Sequence, residues 1–117
     1  IFFDTYAIIE LTRGNSNYSK YIEWTPVVND FVLAELHYCL LKQHNDKADE
    51  YFDRYAKASL RPKARVIKNA MKLRRKCLVQ NLSTVDCVGY EHAKNLKIKF
   101  LTGDRQFENM ENVEYVK

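Results

Sequence analysis

Four acidic residues are spaced so that a folded chain can bring their charges together. Asp4 closes the apolar run Ile1–Phe3, and Asp104 follows Ile98-Lys99-Phe100-Leu101-Thr102 across Gly103, so each stands at the end of a short buried strand. Glu35 falls within the first two turns of a helix through Phe31, Leu33, Leu36, Leu40 and Leu41, which Asn29 or Asp30 caps directly after a strand at Val27-Val28. Asp86 lies in the first turn of a helix opened by Ser83-Thr84-Val85-Asp86, the spacing of a capping box. In open parallel sheets the binding crevice lies beyond the carboxyl ends of the strands, which places all four acids on one side of one sheet. Carboxylates a few ångströms apart repel one another unless a cation compensates them. An all-oxygen set with no His or Cys among it suits a hard ion, Mg²⁺ or Mn²⁺, which keeps waters that substrate phosphate oxygens can replace. Phosphoryl chemistry is the expectation. Each acid alone has a structural reading as cap or turn former, and Asp86 could simply complete its capping box. Phe31 and Tyr38 share a helix face with Glu35 and argue against its full solvation.

The elements that must hold these groups follow from the apolar periodicity. Thr5 is expected to cap a helix through Ile8, Ile9 and Leu11 that ends at Gly14. Asp46–Ser59 carries Ala48, Tyr51, Phe52, Tyr55 and Ala56 at helical spacing, and Pro62 suits the first turn of a helix reaching about Gln80. On that helix Ala64, Ile67, Met71 and Leu78 are expected to share the buried face. Val113–Val116 is the last strand candidate. The fold class is therefore α/β: a three-layer α/β/α arrangement with a short, mostly parallel sheet of four or five strands, in one domain spanning residues 1–117. The 117 residues, with 46% apolar, 13% aromatic, three Gly and two Pro, belong to a folded globular protein and exclude a linker or disordered tail.

The net charge of +4 is mild, but its distribution is not. Ten basic and no acidic residues lie between Arg54 and Lys76, while the other ninety-four positions carry nine basic and fifteen acidic ones. Arg61, Arg65, Lys68, Lys72, Arg75 and Lys76 line the expected outer face of the Pro62 helix. Because an acidic centre repels a polyanion, this stripe is read as tracking the phosphates of a nucleic acid rather than as an ordinary solvated face. No apolar run approaches a membrane span, and no leader pattern is visible, so the expectation is a soluble, cytoplasmic protein without a membrane partner. The start at Ile1 without Met suggests that at least one residue precedes it. Cys39, Cys77 and Cys87 form no CxxC pair and are expected to be reduced and buried. His37, His44 and His92 show no ligand spacing. Trp24, Tyr18 and Tyr21 are read as core aromatics.

Taken together, Phe3-Asp4-Thr5, Val32-Leu33-Ala34-Glu35-Leu36, Asp86-Cys87-Val88-Gly89-Tyr90 with Ala93, and Phe100-Leu101-Thr102-Gly103-Asp104-Arg105 with Phe107 resemble the PIN-domain nucleases, above all the small VapC-type toxins. The resemblance covers essentially the whole chain in order. It implies a metal-dependent endoribonuclease in which Asp4, Asp86 and Asp104 ligate one or two Mg²⁺ or Mn²⁺ ions and Glu35 acts through water or a second ion. Thr5 or Thr102 supports them by hydrogen bonding. A water on the metal is the implied nucleophile, leaving a 5′-phosphate and a 3′-hydroxyl. The resemblance further implies a small antitoxin and a homodimer. Asn29-Asp30 departs from the pattern, and Asp30 is a competing ligand candidate. Two other classes remain beside this one: a non-catalytic RNA-binding or assembly module on a PIN-like fold, and a phosphoacceptor receiver domain. The stretch from Asp30 to Lys97 has no convincing strand and disfavours the receiver.

Overall fold

In the computed structural model, which describes residues 1–117, the sheet is built from strands too short to stand without helices over them. β1 (Phe2–Phe3), β2 (Phe100–Thr102) and β3 (Val113–Tyr115) run parallel in the order β1-β2-β3. Phe2 pairs with Phe100 and Phe3 with Leu101, while Phe100, Leu101 and Thr102 pair with Val113, Glu114 and Tyr115. Three strands form, not the four or five expected. Val27 and Val28 lie at the open edge of β1 as isolated parallel bridges, to Phe2 and to Ser59 respectively. Pro26 on one side and the helix cap Asn29 on the other leave only two residues, each bonded to a different neighbour, so no ladder develops.

Alternation along β1 shows that both sheet faces are covered. Phe2 packs on His92 and Phe100, whereas Phe3 faces Leu11, Tyr21 and Tyr51; both are buried. The layers are supplied by α1 (Thr5–Thr12), α2 (Asp30–Lys42), α3 (Ala48–Ala56), α4 (Ala64–Lys76) and α5 (Thr84–Leu96). Glycine at residue 89 lets α5 approach the sheet closely, since a Cβ there would stand 3.0 Å from the Phe100 ring and 3.3 Å from the Phe2 ring, tighter than ordinary contact. That close approach seats α5 on β1 and β2. A buried hydrogen bond between Asn29 and His92 (3.0 Å) ties the start of α2 to α5; Asn29 Oδ1 also caps α2 at Val32 N–H, so its amide nitrogen donates to His92 Nδ1.

Several boundaries differ from the sequence reading. Asp4, not Thr5, caps α1, accepting from Thr5 N–H at 2.8 Å. The helix after Pro62 stops at Lys76; Cys77 leaves helical geometry and Leu78–Gln80 forms a separate short turn. Its buried residues are Val66 and Ala70, with Ile67, Leu73 and Cys77 half-buried, whereas Met71 and Leu78 are exposed. The six predicted cations of the stripe are all exposed. Only Cys87 is buried, Cys39 and Cys77 being half-buried. Tyr18 and Tyr21 are core residues as expected, but Trp24 is about half exposed. No helix is long and apolar enough to cross a membrane.

Candidate metal centre

The carboxyl ends of β1 and β2 deliver their acids into one crevice of about 410 Å³. Asp4 leaves β1 and Asp104 leaves β2, Glu35 comes from the second turn of α2, and Asp86 from the first turn of α5. Carboxylate oxygens of Asp4, Glu35 and Asp86 all lie within 4.8 Å of one another. Asp104 lines the same crevice outside this tight group, with Oδ1 accepting Gln106 N–H at 3.0 Å. Asp30 is not there: its carboxylate accepts the Ser59 hydroxyl (3.0 Å) in a different cavity.

Three of the four acids are held by hydrogen bonds, Asp86 and Asp104 from their own turns and Asp4 from Thr5 N–H and from the neighbouring strand. Thr102 Oγ1 donates to Asp4 Oδ2 at 2.6 Å and accepts Asp104 N–H at 3.1 Å, so one buried hydroxyl couples the two strand ends. The capping box on α5 is real: Ser83 N–H donates to Asp86 Oδ2 (2.9 Å) and Asp86 N–H to Ser83 Oγ (3.1 Å). The capping role of Asp86 and its place among the carboxylates are therefore both true. Thr5 carries the single buried side-chain polar atom without a hydrogen bond. Its hydroxyl stands beside Glu35 in the crevice wall.

The electrostatic cost of this arrangement is visible in the titration of the acids. Burial, reinforced by Asp86 and Glu35, pushes the Asp4 carboxyl up to about 8, despite the hydrogen bond from Thr102. Burial also raises Glu35 and Asp86, with neighbouring carboxylates adding to it. No Lys, Arg or His side chain pairs with any of the four. Arg13, whose guanidinium is only loosely held by Glu10 (3.8 Å), is the one cation lining the crevice. Three converging carboxylates without a counter-charge fit a hard divalent cation.

Residues 1–113 match the PIN domain family. The chain belongs to that family. Two solved structures share its PIN fold. A toxin-antitoxin complex from Klebsiella pneumoniae aligns with a TM-score of 0.74 at 16% identity, covering 97% of this chain and 94% of that one. VapBC2 from Rickettsia felis bound to a DNA fragment from their promoter aligns with a TM-score of 0.70 at 18% identity, covering 99% and 98%. Comparison with curated proteins gives no significant match. The sequence reading missed Tyr6, Arg13, Cys39 and Gln43, which line the PIN crevice with the acids. The spacing of Tyr6, Glu10 and Arg13, all on one face of α1, was the available signal.

The raised Asp4 pKa gives a signed prediction for the PIN domain without metal. Between about pH 4 and 8 the native state keeps a proton that the unfolded chain releases, so this contribution is lost as pH rises through that window. His92, lowered by burial, acts oppositely, but only below its ordinary 6.5. In chelator, Tm should fall between pH 6.5 and 8. Added Mn²⁺ should raise Tm more at pH 8 than at pH 6.5, because it competes with protons for the same oxygens. A Mn²⁺ shift equal at both values would contradict the assignment.

Proposed function

We propose that this PIN domain is a Mg²⁺- or Mn²⁺-dependent endoribonuclease, the toxin member of a toxin-antitoxin pair. The observation that carries this reading is the unneutralised meeting of Asp4, Glu35 and Asp86 at the strand ends. In this reading those three would hold the ion, with Asp104 completing the acidic wall. When bound, a hard divalent ion supplies compensation of negative charge and acidifies water for attack on a phosphodiester. Thr102 orients Asp4 so that its Oδ2 stays fixed while the carboxyl loses its proton. The Ser83 box does the same for Asp86. Arg13 neutralises a phosphate entering from the α1 rim. An antitoxin partner is supported by the similarity to the Klebsiella pneumoniae toxin-antitoxin complex and to VapBC2, and a homodimer by the sequence resemblance alone.

The α4 stripe is proposed to hold flanking RNA phosphates. Arg74 hydrogen-bonds Leu82 O (3.2 Å) and Thr84 Oγ1 (3.1 Å), which puts the C-terminal end of α4 beside the start of α5 that carries Asp86. Arg75 and Lys76 are therefore the stripe residues at that end, while Arg65 shares a cavity with Glu91 and Lys94 farther along α5. The double charge reversal Lys68→Glu, Lys72→Glu should weaken RNA binding about tenfold or more at low salt and reduce the slope of log K against log salt by about 2. An unchanged slope would take those two out of the RNA path.

The test of the function is cleavage of defined RNAs by purified protein with Mn²⁺, with Mg²⁺ and with chelator. Ion-dependent internal cuts leaving 5′-phosphate ends are expected. Protein that binds Mn²⁺ yet cuts no RNA class would overturn the enzymatic reading.

A further inference from the structure

Asp30 stood out in the sequence and takes no part in the metal centre. It lies in a neighbouring cavity of about 610 Å³ formed with Phe31, Ser59, Arg61, Pro62 and Ile67. That volume is in the range of small-ligand sites. The cavity is joined to the crevice by α2 itself. Phe31 lines the cavity, while Glu35 and Cys39, one and two turns on, line the crevice. Four residues of helix advance about 6 Å, so the two openings are neighbours along one face of α2. Arg61, one of the cations of the basic segment, stands in the cavity wall.

We infer that this cavity receives an unstacked guanine base of the RNA, beside the phosphate presented to Asp4, Glu35 and Asp86; this rests on the proposed endoribonuclease reading. The chemistry is selective. A carboxylate in the wall rejects a phosphate and accepts only donors. Ser59 occupies Oδ1 of Asp30 with one hydrogen bond and fixes the group, leaving acceptor capacity on both oxygens. Guanine alone offers two adjacent N–H donors on its Watson–Crick edge, matching a carboxylate's two oxygens. Adenine, cytosine and uracil each set an acceptor beside their donor, which would face the second oxygen. The half-buried Phe31 ring, with Ile67 and Pro62, supplies the apolar surface on which a splayed base rests. Arg61 is placed for the phosphate attached to that base.

The experiment measures equilibrium binding of fluorescein-labelled RNA pentamers, a single guanosine in a uridine background against the same pentamer with inosine, which lacks only the exocyclic amino group. Wild-type protein in chelator should bind the guanosine pentamer about tenfold more tightly. In Asp30→Asn the ratio should fall to near one. Ser59→Ala, which frees the carboxylate, should give an intermediate ratio and serves if Asp30→Asn does not fold. Equal affinities in wild type, no measurable binding, or a ratio unchanged in both variants would each overturn the subsite. Cleavage of the same pentamers with Mn²⁺ is read separately: guanosine-selective binding without cleavage would defeat the endoribonuclease reading and leave the base site standing.

Discussion

Asp4→Asn should lose ion-dependent RNA cleavage by about a thousandfold and, in the same preparation, be more stable than wild type in chelator at pH 8. The two effects have one cause. Asp4 is almost fully buried, and with its carboxyl pushed up to about 8 it carries its charge at the expense of the fold. Asn keeps the polar contacts, since its oxygen can accept Thr5 N–H and its amide can donate to Thr102 Oγ1, and Asn is as good a helix cap as Asp. What it removes is the ionised oxygen that a cation needs. A Tm about 5 °C or more above wild type is expected at pH 8, shrinking toward zero below about pH 4, where Asp4 becomes neutral in both states. Mn²⁺ should stabilise wild type and not the variant. If Asp4 served only to cap α1, the pH dependence of Tm would still change with its titration but activity would not, and cleavage within tenfold of wild type would remove it from the metal set.

How much of this was legible in the sequence depended on whether one element or two decided the outcome. Asp4, Glu35, Asp86 and Asp104 were legible because strand ends and helix starts are local signals, and the strand-end rule turns them into a common location. Their grading was not. Asp104 matches the family motif as well as Asp4 does, yet its carboxylate caps the turn at Arg105–Phe107 and stands outside the tight group of three. Asp4 is instead held by Thr102, a contact between residues 98 positions apart that no local pattern carries. The buried face of α4 failed for a related reason. Ala64, Ile67 and Met71 form one apolar row and Val66, Ala70, Leu73 and Cys77 another, and packing against α5 selects the second. No period within α4 carries that choice. In the Ser16–Glu23 segment the burial of Tyr18 and Tyr21 was legible, but not the partners of their hydroxyls, Val116 O and Glu114, which lie more than ninety residues away. Asp30 shows the converse: its side chain was noticed from its position, and only the partner Ser59 revealed that it serves a different cavity.

Gly103→Ala should be the most damaging single-methyl change in the molecule. Gly103 sits between Thr102 and Asp104, in the two-residue link that carries β2 into the acidic wall. A Cβ there would collide with Cε1 of Tyr6 and with the carbonyl oxygen of Val116, and would stand 2.8 Å from Tyr6 Cζ. The Val116 oxygen is backbone, already holding the Tyr18 hydroxyl, and Val116 N–H is bonded to Thr102 O at 2.9 Å. Neither neighbour can yield without moving β3 or α1. Overpacking of this kind costs about 3 kcal/mol, a fall of about 10 °C in Tm for a chain of this size. Relief by displacing the link would also shift Thr102 Oγ1, the hydroxyl that bridges Asp4 and Asp104, so Mn²⁺ affinity should weaken by at least about tenfold in the fraction that remains folded. The double variant Gly103→Ala, Tyr6→Ala should recover part of the Tm, since it removes the ring from the collision but leaves the Val116 carbonyl in place. A Gly103→Ala protein with the stability and Mn²⁺ affinity of wild type would mean that the strand ends are not held as tightly as these contacts require, and with that the positioning of the carboxylates by Thr102 would have to be abandoned.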